Sequence, residues 1–206
     1  MNAKEWFIDA QSRIWDIDPD YIRALLRVES GGAGFKDGRL IIRFEAHVFD
    51  SIASQDDLYD RVLKYNLDVP WTEQYWRPDR TADWIPLHVS QDYEWQALQF
   101  FRTIDDSAAL RSTSMGAGQV MGFNHGNLGY ASVQEMMDAF SDPETGELDQ
   151  IAGVFAYLYR VGAVTALQGA NWTRVAALYN GSGQVGFYAG LFMNALDSIR
   201  REKVAT

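Results

Sequence analysis

"ALLRVESGGAGF", residues 24–35, is the stretch on which the reading of this chain turns. An apolar helical run ends there on a single glutamate, Glu29, followed at once by Ser30, Gly31 and Gly32. Upstream, "DIDPD" supplies Asp18 as an N-cap and Pro19 for the first helical position, so a helix is expected over 19–29. Ile22, Leu25, Leu26 and Glu29 then fall at i, i+3, i+4 and i+7. Glu29 therefore lies on the apolar stripe, where an unpaired charge is costly. Two readings compete. In the plainer one, glycine caps the helix and Glu29 pairs with Arg27, Arg43 or a backbone amide. In the other, desolvation keeps the carboxyl protonated near neutral pH, and such a group can serve as a general acid. Glycosidic bond cleavage needs such a donor at the leaving oxygen.

Working outward, residues 3–14 read as an amphipathic helix. After the glutamate, "KDGR" is a turn signal and "RLIIRFE" has strand composition, which gives a small β element. Helical patterning resumes over 45–65, and 65–90 is a polar, proline- and aromatic-containing lobe. A helix is expected over 91–104, with a further helical turn or a short second helix over 105–111. A glycine-rich stretch, "STSMGAGQVMGFNHGNLGY", leads to another helix near 131–140. One long buried helix is expected over 147–168, a short one ending at Gly181, and a last one over 184–201. The fold class is mainly α (α+β). The chain reads as one domain over 1–206, with no separate second module.

Composition narrows the chemistry. Hydrophobic residues make up 47% and aromatics 14%, enough for a well-filled core. The net charge of −10 gives no long-range attraction to nucleic acid or anionic lipid, so no nucleic-acid partner is expected. The absence of cysteine removes disulfides and thiolate metal sites. The first residues lack the apolar core of a secretion signal, and no run reaches the roughly 18 apolar residues of a membrane span. Synthesis in the cytoplasm, no stable membrane insertion and a monomer are the expectations.

Glu45, in "RFEAHVF", is the second candidate carboxylate, since the turn and strand after Glu29 can carry the chain back. Paired carboxyls are the usual equipment of glycoside hydrolysis. Asp37 competes for that role but sits in the turn signal. His47 follows Glu45 at i+2 and is the nearest candidate for a polar contact to substrate. His88 and His125 are scattered, no His-x-x-x-His spacing exists, and no metal or other cofactor is expected. "GSGQVG" at 181–186 matches a dinucleotide fingerprint in letters only, because it follows a helical run and not a strand. "GAGQVMGFN" and "YNG" place Gln119, Met121, Asn124, Tyr179 and Asn180 beside glycines, where amides and a hydroxyl could meet sugar hydroxyl and N-acetyl groups.

Taken in order, "ESGG-GF", "DGR", "FEAHVF", "GAGQVMGFN" and "YNG" resemble the phage-type N-acetylmuramidase domain of the lysozyme-like group, over about 19–195. The resemblance implies a helical lobe, a small β element and a sugar-binding cleft. It implies cleavage of the β-1,4 bond between N-acetylmuramic acid and N-acetylglucosamine in peptidoglycan glycan strands. The family's catalytic glutamate falls on Glu29 and the second motif's glutamate on Glu45. Gly118, Gln119, Met121, Tyr179 and Asn180 fall on the segments that line the cleft. "SMG" stands here where the family commonly has "SWG", so Met115 replaces an aromatic. The same segments also resemble lytic transglycosylases, which need a single acid and leave 1,6-anhydro ends. A non-catalytic peptidoglycan-binding protein is the third reading. As an endolysin, the protein would reach the periplasmic wall through a holin or another delivery system.

Overall fold

A computed structural model describes residues 2–205. Helix α1 (Ala3–Ile14) starts where Asn2 accepts the Glu5 amide at 2.9 Å. Helix α2 (Pro19–Ser30) starts on Asp18, which accepts the Asp20 amide at 2.9 Å, with Pro19 in the first turn. It stops on Gly31, whose φ of 69° is left-handed. Gly31 and Gly32 donate back to Arg27 and Leu26 at 3.1 and 3.0 Å. Strands β1 (Phe35–Lys36) and β2 (Arg39–Leu40) form a hairpin around Asp37 and Gly38, both at positive φ. Then come β3 (Ile42–Phe44), α3 (Ala46–Ile52), β4 (Leu63–Lys64), β5 (Tyr75–Trp76) and β6 (Ile85–Pro86). Helices α4 (Gln91–Ile104) and α5 (Asp106–Arg111) lead to β7 (Thr113–Met115), β8 (Val120–Met121) and a 3-10 segment, Gly122–Leu128. The chain finishes with α6 (Val133–Ser141), α7 (Gly146–Arg160), α8 (Val164–Gln168), α9 (Trp172–Tyr179) and α10 (Val185–Val204).

These elements gather into two compact units. The first comprises Met1–Phe35, Gly116–Gly118 and Asp142–Thr206, and is helical. Its core is Ile22, Leu25 and Leu26 of α2 with Ile151, Val154 and Leu158 of α7, Val175 of α9 and Phe192 of α10, all buried. Arg23 ties α2 to α1 through Glu5 at 2.7 Å and Asp9 at 2.6 Å. The second unit, Lys36–Met115 and Gln119–Ser141, holds both three-stranded sheets. Sheet β3-β7-β8 is antiparallel, pairing Ile42 with Met115 and Ser114 with Met121. Its Phe44 stacks on Phe101 of α4 with ring centroids 4.7 Å apart, and Phe49 of α3 closes the cluster.

Three expectations are corrected. Helix does not run through 45–65: α3 ends at Ile52, and Asp57 and Asp60 take left-handed backbone that a helix excludes. The long helix over 147–168 is two, because Gly162 at φ 73° stops α7 and α8 restarts at Val164. The single strand "RLIIRFE" is divided between two sheets, β2 in one and β3 in the other. In addition, "SMGAGQVM" is a β-hairpin in which Gly116 (φ 72°) and Gln119 (φ 48°) turn the chain.

Candidate active site

Glu29 sits one residue before the end of α2, with no cationic partner among the described residues. Arg27, a partner proposed on sequence grounds, is held instead by Glu202 at 2.9 and 3.0 Å, and Arg43 by Glu45. Among the described residues, the one hydrogen bond to the Glu29 carboxyl comes from Asn180 Nδ2, at 2.8 Å to Oε1. Protein atoms surround the carboxyl, yet part of the side chain keeps solvent access. Desolvation pushes its pKa up to about 7, and the Asn180 amide opposes this only in part. Two phenols share the setting: Tyr157 of α7 and Tyr179 of α9 each feel the Glu29 charge, and burial pushes both of their pKa values up. Their rings meet edge to face with centroids 5.2 Å apart. Tyr179 is buried and donates to Gly118 O at 2.7 Å. The structure thus brings Glu29, Tyr179 and Asn180 together. Tyr157 was not foreseen: it lies inside the apolar pattern of α7, with no motif around it.

Glu45 has different company. It precedes α3 and accepts from Arg43 Nε at 2.8 Å and from Gln74 Nε2 at 2.5 Å. His47 Nδ1 stands 3.5 Å from its Oε2, too long for a good hydrogen bond. Gln74 is itself buried, and its Oε1 accepts the Ala46 amide at 2.5 Å, so the amide is fixed at both ends. Gln74 is a partner of Glu45 that sequence reasoning missed, because it comes from the irregular stretch between β4 and β5. Asp37 lies exposed in the β1–β2 turn.

The remaining candidates lie on or after the β7–β8 hairpin. Gln119 Oε1 accepts from Ser114 Oγ at 2.9 Å. Met121 is partly exposed and pairs across the ladder with Ser114. Asn124 is buried in the 3-10 segment and accepts from Asn127 at 3.1 Å. His88 bonds Glu94 at 2.8 Å and His125 bonds Gly122 O at 3.1 Å. Among the described residues, no group of three His, Asp or Glu side chains is placed to hold a metal ion.

A helical unit holding a desolvated carboxyl and a second unit holding small antiparallel sheets make up a mainly α fold of lysozyme-like class. Residues 18–198 match the N-acetylmuramidase family, and the chain belongs to it. It is a muramidase that hydrolyses peptidoglycan. A search of curated proteins gives no match. Among solved structures, the crystal structure of the Burkholderia AP3 phage endolysin is similar, with a TM-score of 0.66 at 24% identity. The match covers 98% of this chain and 71% of that one. At that identity the likeness speaks for the fold. Among the described residues, no helix is long and apolar enough to cross a membrane.

Proposed function

We propose that Glu29 is the general acid of this muramidase and donates its proton to the glycosidic oxygen of the leaving sugar. One observation carries this: a carboxyl with no cationic partner among the described residues, desolvated until its pKa is about 7, on a side chain that is partly exposed. A proton held there at neutral pH has no structural use, and an acid of that strength is matched to transfer it. We assign Glu45 to the complementary role, an anion that stabilises the oxocarbenium-like transition state or orients water. Arg43 and Gln74 hold it in one geometry for that purpose. Gln119, Met121, Asn124, Tyr179, Asn180 and His47 are assigned to substrate contact. The family match runs through both units, which supports a single catalytic domain.

The biological setting that fits is a phage endolysin. The protein is made in the cytoplasm, acts as a monomer, and reaches the periplasmic wall through a holin or another delivery route. The similar AP3 phage endolysin supports this setting. Zymograms on outer-membrane-stripped Gram-negative cells test the acid: wild type lyses and Glu29→Gln does not. Mass spectrometry of digested sacculi tests the reaction. Reducing ends are expected, and 1,6-anhydro ends would overturn hydrolysis.

A further inference from the structure

Three side chains converge on residues 117 and 118. Ser30 Oγ donates to Ala117 O at 2.8 Å, Tyr179 Oη donates to Gly118 O at 2.7 Å, and Gln150 Oε1 accepts the Ala117 N–H at 2.9 Å. Ser30 follows Glu29 in the chain and Tyr179 precedes Asn180. Glu29 and Asn180 are the two residues whose side chains meet at 2.8 Å. Residues 117–118 therefore tie the last turn of α2 to the last turn of α9, and the Glu29–Asn180 contact lies where those turns are joined. Both of these contacts are made to carbonyl oxygens. Gln150, 1% exposed in α7, supplies the third point.

The sequence around Gln150 is cleared for it. A Cβ on Gly34 would overlap Gln150 Oε1, and one on Gly116 would come within 2.6 Å of Cγ and Cδ. Gly116 also has a φ of 72°, which by itself favours glycine. Gly34 has no left-handed φ, so the room taken by Gln150 is what keeps it free of a side chain.

We infer that Gln150 is a positioning residue for the muramidase reaction: through Ala117 and Ser30 it fixes where the Glu29 carboxyl sits, and with it the reach of that carboxyl to substrate and its shelter from water. This rests on the reading of Glu29 as the acid. The test is Gln150→Met, which fills similar volume and removes the side-chain amide, and with it the acceptor for the Ala117 N–H. With folding checked by circular dichroism and thermal melts, kcat on soluble glycan fragments should fall about tenfold while KM changes less than about threefold. The alkaline limb of the kcat profile should move down by roughly half a pH unit or more, because a loosened carboxyl is better hydrated. A purely structural Gln150 would leave that limb in place. If Gln150→Met does not fold, Gly34→Ala presses on the same amide from the other side and must show the same shift. An inactive Glu29→Gln beside a folded Gln150→Met with wild-type kcat and limb overturns the inference alone. An active Glu29→Gln overturns the acid assignment and this inference with it.

Discussion

Glu29 and Glu45 are the same residue type given opposite surroundings. Glu29 stands in the last turn of α2, where the helix dipole disfavours an anion, and its hydrogen-bond donor is a neutral amide. Glu45 stands at the start of α3, where an anion is favoured, with a guanidinium at 2.8 Å and an amide at 2.5 Å. One setting opposes ionisation by desolvation, and the other supplies a guanidinium and an amide donor. Hydrolysis of an acetal linkage uses both a proton on the leaving oxygen and an anion against the developing cation. On the proposed assignments, one kind of side chain serves both tasks in two unlike environments.

The largest effect that can break the comparison is loss of the acid. Glu29→Gln should lower kcat by roughly a thousandfold or more with KM little changed, since the group acts in the transition state. Glu45→Gln should cost less, about tenfold to a hundredfold, because glutamine keeps an oxygen for Gln74 while it loses the charge and the acceptor that Arg43 uses. Steady-state turbidity assays on purified sacculi give both numbers. A Glu45→Gln loss equal to or larger than that of Glu29→Gln would reverse the assignments.

Next in size is the pH dependence. The proposed acid must be protonated, so wild-type kcat should fall on the alkaline side, with its midpoint near the Glu29 pKa of about 7 and about tenfold per unit beyond it. A profile still flat through pH 9, measured on chromogenic glycan substrates, would remove Glu29 as the titrating acid.

The sequence made one half of this comparison much easier to see than the other. Glu29 stood out because a charge on an apolar stripe breaks the helical pattern, and Gly31 marked the stop within one residue. Helix α4 (Gln91–Ile104) was read to the residue, its amphipathic run being bounded by Ser90 and Asp105. Glu45 was found by its place in a motif, and Gln74 was not found at all. It lies 29 positions away, in a stretch whose two-residue strands are made by tertiary pairing and not by local propensity. Tyr157 and Gln150 were hidden for another reason. Both sit inside the largely apolar run of α7, where periodicity reports burial and says nothing about which polar atom meets a loop from elsewhere.

A smaller effect tests the frame around Glu29. Gly31 has φ 69° and open space where a Cβ would go, so Gly31→Ala carries only a backbone penalty, about 1 kcal/mol, seen as a drop of a few degrees in Tm. A drop much larger than that would mean that the cap does more than end the helix.

The subtlest test compares the stability of the two glutamine variants as pH changes. Folding raises the Glu29 pKa from an ordinary carboxyl value to about 7, so the native state binds the extra proton between roughly pH 4.5 and 7. The wild type therefore loses stability as pH rises through that window and recovers none above it. Glutamine keeps an oxygen for the Asn180 amide and never ionises, so Glu29→Gln should match wild type near pH 4. It should exceed wild type by roughly 1–3 kcal/mol at pH 8. Glu45→Gln should do the reverse at pH 8, losing about 1 kcal/mol with the Arg43 pair, which is partly exposed and screened. Urea melts at the two pH values read both differences. If Glu29→Gln proved less stable than wild type at pH 8, its carboxylate would be a settled structural anion like Glu45, and the contrast between the two sites would disappear.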